Sequence, residues 1–259
     1  MNNGRTISAL LGVLFVFGAC SSEGSANDGT GSNERQTVTV FAAASLTGAF
    51  EELAGKFGEA NDNVDVEFNF LASSDLAAQI IEGAPADVFA SADEANMARI
   101  VDEGFATRPV AFVENRLAIA VQSGNPEGIE SLGDLEDPDL VVALCNEECP
   151  AGRYALEVFE AAGINVEPDS LEADVRGVLT RVGLGEADAG LVYVTDIATD
   201  SDVEGVAIPD EDNVVATYLI VALDGAPPEA TEFVDFVQSE SGQRILSEYG
   251  YRLLEQVDG

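Results

Sequence analysis

The chain has 259 residues, 46% of them hydrophobic, enough to bury a real core in one large or two modest domains. Its 48 Asp and Glu against 11 Lys and Arg give a formal net charge of −37, which argues against nucleic acid or an anionic membrane surface as a partner. The absence of histidine removes Ser–His and Cys–His catalysis and nearly all zinc sites, and a Ser–Lys dyad would have to use Lys56, the single lysine.

In chain order, Met1–Arg5 is a short basic stretch and Thr6–Ala19 a mostly apolar run, shorter than the roughly 20 residues of a membrane-spanning helix. It ends Phe17-Gly18-Ala19-Cys20, which resembles a bacterial lipoprotein signal over residues 1–19, with Cys20 as the lipidated N-terminus. Plain secretion with Cys20 incidental is the alternative. Residues 20–36 are almost devoid of apolar side chains and read as a flexible tether. Anchor, tether and folded domain together imply a receptor held outside the cytoplasmic membrane.

Strand and helix patterns then alternate. Val38–Ala42 reads as a strand followed by a helix from Leu46 to Glu59; Val64–Phe70 is a strand, and Ser73 and Ser74 introduce a helix over Asp75–Glu82. Val88–Ala90 is a short strand, and Asp93 caps a helix running to Glu103. Leu117–Gln122 and Leu140–Leu144 are strands; Pro150 opens a helix through Ala162 that Gly163 ends. Ala173–Gly183 is helical, Gly190–Val194 and Thr217–Ala222 are strands, and Glu229–Ser247 is mostly helical. This alternation predicts an α/β fold with parallel sheets covered on both faces. Asn115–Leu117 and Ala216–Leu219 are the segments most suited to crossing between two lobes. Cys145 and Cys149, four residues apart, read as a disulfide in preference to two free thiols; no histidine or second cysteine pair supports a metal site.

In parallel α/β sheets ligands sit beyond the C-terminal ends of strands, where helices begin. Several such junctions share one chemistry. Ser45 follows the first strand and Ser73 the second; Ala151 follows Pro150, where helical N–H groups lack partners; Val175 opens a later helix; Tyr193 places a phenol at a strand end. Taken singly, Ser45 and Ser73 are ordinary helix caps, Ala151 and Val175 carry no side-chain signal, and Tyr193 is a packing residue. Taken together they form a site of neutral donors for an anion. Arg153 and Arg176, close by, are expected to pair with carboxylates, and Asp75 and Asp174 to stabilise helix N-termini.

The runs Phe41-Ala42-Ala43-Ala44-Ser45-Leu46-Thr47, Ala72-Ser73-Ser74-Asp75-Leu76 and Gly83-Ala84-Pro85-Ala86-Asp87-Val88-Phe89-Ala90 resemble the molybdate-binding proteins of molybdate ABC transporters. So do Pro150-Ala151-Gly152-Arg153-Tyr154, Asp174-Val175-Arg176-Gly177, Gly190-Leu191-Val192-Tyr193 and Tyr249-Gly250-Tyr251, in order over residues 37–253. The resemblance implies a two-lobed periplasmic-binding-protein fold (type 2), each lobe a mainly parallel sheet flanked by helices with the ligand cleft between. Lobe 1 would take residues 37–116 with 218–259, and lobe 2 residues 117–217. It further implies that Ser45, Ser73, Ala151, Val175 and Tyr193 hold molybdate or tungstate, that the only metal is in that oxyanion, and that there is no further cofactor. A monomer delivering its cargo to an ABC permease, touching the membrane through its lipid anchor alone, completes the expectation. Another tetrahedral oxyanion such as sulfate, an exported carboxylate-dependent hydrolase and a cell-surface interaction lipoprotein are the rival readings.

Overall fold

The computed structural model describes residues 35–254; the signal segment, Cys20 and nearly all of the tether lie outside the described residues. From the first strand the chain runs β1 (Gln36–Ala43), a 3-10 turn (Ala44–Leu46), α1 (Thr47–Ala60), β2 (Val64–Leu71), α2 (Ser73–Ile81), β3 (Val88–Ser91), α3 (Glu94–Asp102), β4 (Val110–Gln122) and a second 3-10 segment (Leu132–Glu136). It continues through β5 (Val142–Cys145), α4 (Pro150–Ala162), β6 (Ser170–Glu172), α5 (Val175–Gly183), β7 (Ala189–Tyr193) and the short α6 (Val194–Ile197). β8 (Val203–Ala207), β9 (Val215–Ala222), α7 (Pro228–Gln238), α8 (Glu240–Glu248) and β10 (Arg252–Leu253) complete it. Among the described residues no helix is long and apolar enough to cross a membrane.

The strands join into one sheet in the order β2-β1-β3-β9-β4-β7-β5-β6, with β8 and β10 also pairing to β4. β2-β1-β3 and β7-β5-β6 are parallel, as expected where helices cross between neighbouring strands. The sheet as a whole is mixed, not mainly parallel. β9 lies antiparallel to β3 and β4, and β4 antiparallel to β7, β8 and β10. The reason is that β4 and β9 run between the two parallel groups and meet each against its direction. β4 changes partners along its length: Asn115 and Arg116 face Ala216 and Val215 of β9, while Leu117 faces Tyr193 of β7. Both segments singled out as crossings, Asn115–Leu117 and Ala216–Leu219, fall at or beside this changeover.

Period-two burial sends alternate side chains to opposite faces of the sheet. From β1 and β3, Val38, Val40, Ala42, Val88 and Ala90 join a core with Phe50, Phe57 and Phe233, in which the Phe57 and Phe233 rings meet edge-on at 5.4 Å. Phe41 and Phe89 point the other way, against Leu76, Met97 and Ile100. The elements the sequence pattern missed are short or polar: β6 has three residues, β8 is largely exposed, and β10 has two. The helix expected over Glu229–Ser247 is broken at Ser239, whose hydroxyl caps α8 by accepting from Gly242 N at 3.2 Å. α5 starts at Val175, two residues later than expected, because Asp174 caps it, its carboxylate accepting from Gly177 N at 3.0 Å.

The structure joins Cys145, the last residue of β5, to Cys149 before α4, with Cα atoms 6.1 Å apart. The first turn of α4 is seated tightly against this loop. A Cβ on Gly152 would come within 2.1 Å of the Asn146 carbonyl oxygen and 2.4 Å of that of Cys145. Backbone cannot yield as a flexible side chain can, so Gly152→Ala is expected to cost about 3 kcal/mol or more, read by denaturant unfolding. A loss under ~0.5 kcal/mol would show that α4 is not held against this loop.

Candidate functional site

Ser45, Ser73, Ala151, Val175 and Tyr193 come from separate parts of the sequence, and the structure brings all five to the wall of one small cavity. Ala92, Cys149 and Asp174 also line it, and among the described residues neither a lysine nor an arginine does. Each of the five stands at, or a few residues beyond, the C-terminal end of a strand. β1 leads to Ser45, β2 to Ser73, β5 to Ala151, β6 to Val175, and β7 ends on Tyr193.

Neither serine is a helix cap; that local role falls to Ala43 and Ala72, which offer no side-chain bond. Ser73, fully buried, accepts at Oγ from Ala92 N at 3.0 Å, so its own proton is left for another acceptor. Ser45 Oγ lies 2.9 Å from Tyr218 Oη, and the Ser45 carbonyl accepts from Tyr251 Oη at 2.8 Å. Ala151 and Val175 are buried in the first turns of α4 and α5, where backbone N–H groups have no intrahelical acceptor. Tyr193 is 1% exposed, and its Oη has no hydrogen-bond partner among the described residues. Burial pushes the phenols of Tyr193 and Tyr218 well above their ordinary range, so both remain protonated donors.

The neighbouring charges are occupied elsewhere. Arg153 pairs with the buried carboxylate of Asp93, which also caps α3 by accepting from Asn96 N at 3.0 Å. Arg176 departs from expectation: among the described residues it forms no ion pair, and its guanidinium reaches the Thr199 hydroxyl at 3.5 Å. Asp174 spends its carboxylate on the α5 cap, and Asp75 sits in the first turn of α2. Lys56 is exposed on α1 and paired with Glu59 at 3.1 Å, away from any serine of the cavity.

Residues 38–252 match the family model of the bacterial extracellular solute-binding proteins. The chain belongs to that family. This solute-binding protein is 39% identical over 251 residues to the molybdate-binding protein ModA of Mycobacterium tuberculosis, covering 94% of this chain and 96% of that one. It is 31% identical to ModA of Escherichia coli over 233 residues, covering 83% and 89%. The structure of the periplasmic molybdate-binding protein of Azotobacter vinelandii superposes with a TM-score of 0.74 over 84% of this chain and 100% of that one; at 22% identity this speaks for the fold. The family resemblance and the periplasmic-binding fold read from the sequence are borne out.

Sequence reasoning missed the polar groups behind the cavity. Asn115, Thr195 and Tyr218 are buried, the Asn115 amide donating to both hydroxyls, and Asp196 is 1% exposed directly after Thr195. Nothing in an apolar-strand pattern marks them, although Tyr251 lies in one of the motifs that carried the resemblance. Asp196 Oδ2 accepts from Tyr193 N at 3.1 Å, while Oδ1 has no partner among the described residues. Burial raises this carboxyl to about 7, against the lowering pull of the Tyr193 N–H and Arg176.

Because the folded protein holds this proton more tightly than the unfolded chain, Asp196 costs nothing below the ordinary carboxyl range. It lowers stability progressively as pH rises to about 7, by of the order of 4 kcal/mol in full. Asp196→Asn keeps the acceptor for Tyr193 N and cannot ionise. Urea unfolding across that pH window should show the variant gaining on the parent as pH rises; a constant difference would mean that Asp196 titrates as an ordinary carboxyl.

Proposed function

We propose that this solute-binding protein captures molybdate, and tungstate as a near-isosteric second ligand, through Ser45, Ser73, the Ala151 and Val175 N–H groups and Tyr193, and hands it to an ABC permease. The observation that carries the reading is the convergence of five neutral donors, two of them hydroxyls and one an unpaired buried phenol, on one cavity in a chain 39% identical to a molybdate-binding protein. Hydrogen bonds to a charged partner contribute about 1.5–3 kcal/mol each, and helix N-termini about 0.3–1 kcal/mol. Several together offset dehydration of a small dianion without a cation. Exposed carboxylates farther than ~8 Å are largely screened at physiological salt, so the acidic coat slows encounter more than it weakens the complex.

In this reading residues 37–116 with 218–259 form one lobe and 117–217 the other. Closure brings Ser45 and Ser73 from the first against Ala151, Val175 and Tyr193 from the second. A smaller tetrahedral ion such as sulfate then fails to reach every donor at once. The chain acts outside the cytoplasmic membrane as a monomer, anchored through a lipid on Cys20. The named relatives are binding proteins, which favours capture and delivery over turnover.

Isothermal titration with sodium molybdate should give tight one-to-one binding, matched by tungstate and far weaker for sulfate. Ser45→Ala combined with Ser73→Ala is expected to lose tenfold or more in molybdate affinity. The same variant should lose about 1–3 kcal/mol of stability, because the Ala92 N–H is left without its acceptor. Unchanged affinity in this variant would refute the assignment of the two serines; preference for sulfate would keep the site and change the cargo.

A further inference from the structure

The loop from Cys145 to Cys149 carries β5 into α4 and so sets where Ala151 lies. Asn146 ties the loop down: its N–H donates to the Glu172 carbonyl at 2.9 Å, and its Oδ1 accepts from Glu148 N and Cys149 N, each at 3.0 Å. The helix end is held differently from the others. Asp93, Asp174 and Ser239 cap α3, α5 and α8 by accepting from the first turn, whereas Cys149 stands at the same position of α4 and makes no cap bond. Its sulfur is joined to Cys145 instead. A capping oxygen accepts from the second or third helical N–H. Pro150 is the first residue of α4, so Ala151 is the second, and a cap there would compete for the N–H that faces the cavity. A disulfide fixes the helix end and leaves that N–H free.

Both cysteines are 3% exposed, and Cys149 lines the cavity. On the loop side there is no slack, because Gly152 lies against the Asn146 and Cys145 carbonyls so closely that a Cβ does not fit. Two thiols cannot approach each other as closely as two bonded sulfurs. Opening the bond therefore moves Cys149 away from Cys145 on the cavity side, and Ala151 with it. We propose that the Cys145–Cys149 disulfide is a positioning element of the anion site, which holds the Ala151 N–H in place without occupying it, and that the dithiol form binds the anion more weakly. The proposal rests on the reading of Ala151 as an anion donor. By linkage, the anion then favours the disulfide by the same factor by which the disulfide favours the anion.

Isothermal titration with sodium tungstate, an oxyanion that thiols do not reduce, compares three proteins. They are the oxidised parent, Cys145→Ala combined with Cys149→Ala, and Ser239→Ala, which removes the α8 cap and no cavity residue. The cysteine variant should bind about tenfold more weakly, as for one impaired hydrogen bond to a charged partner, and Ser239→Ala as tightly as the parent. The parent is also equilibrated with dithiothreitol and its cyclic disulfide, with and without saturating tungstate, a measurement that needs no variant. Reduction transfers two electrons and two protons from dithiothreitol, which closes its own ring as the protein S–S bond becomes two thiols. A tenfold coupling makes the midpoint potential about 30 mV more negative when tungstate is bound. Parent-like affinity in the cysteine variant, an equal loss in Ser239→Ala, or a midpoint that tungstate leaves in place would each overturn the proposal. If the parent prefers sulfate, the cargo reading fails on its own, and both measurements made with sulfate decide the role of the disulfide. Absence of binding to every oxyanion would overturn both.

Discussion

The antiparallel seam between β4 and β9 is the constraint on which the rest of the architecture depends. Asn115 and Arg116 are paired with Ala216 and Val215, and one residue further β4 has turned to β7 and β8. On one side of the seam the parallel group β2-β1-β3 is attached through β9; on the other, β7-β5-β6 is attached through β4. Ligand sites in parallel groups form where strands end and helices begin. With one parallel group on each side of the seam, the ends of β1 and β2 share a cavity with the ends of β5, β6 and β7. The seam also carries Asn115 and Tyr218, so the strands that join the two groups hold the hydrogen bonds reaching Ser45.

Much of this was legible in the sequence, and the boundary between what was and was not is physical. Elements with a strong local signal were read correctly: Asp93 capping α3, Pro150 opening α4, and Gly163 ending it with a φ of 68°. The five cavity residues were reached because strand-to-helix junctions are visible one at a time and the family resemblance put them together. Strand direction was not legible where it depended on β4 and β9, since antiparallel pairing across a hundred residues leaves no local trace. The first half of β4 was missed for a related reason: Val110–Arg116 mixes buried Phe112 and Val113 with Glu114 and Arg116, and its partners come from β9 and β10. Ser45 and Ser73 were read as possible caps from residue type, yet their hydroxyls turn to Tyr218 and the Ala92 N–H, a choice made by tertiary packing.

The charge of the molecule and the absence of a lysine or arginine from the described lining of its cavity are two sides of one arrangement. With a net charge of −37 and 11 basic residues, a cavity that relied on a guanidinium would place it in competition with many carboxylates. The guanidiniums near the cavity are in fact turned to protein groups, Arg153 to Asp93 and Arg176 to Thr199, while fixed dipoles and hydroxyls face the cavity. Fixed dipoles held by backbone need no reorganisation when an anion arrives, which is the advantage of preorganised donors over a mobile charge. The same logic explains why a buried acid behind Tyr193 is tolerable. Asp196 supplies the acceptor that the Tyr193 N–H requires, and burial holds its proton up to about pH 7, so below that point it adds no negative charge behind the donors. A dianion seated in front of Tyr193 would raise that proton affinity further, since like charge disfavours ionisation. In the proposed reading a bound dianion and burial would act in the same direction, each favouring the neutral state of Asp196.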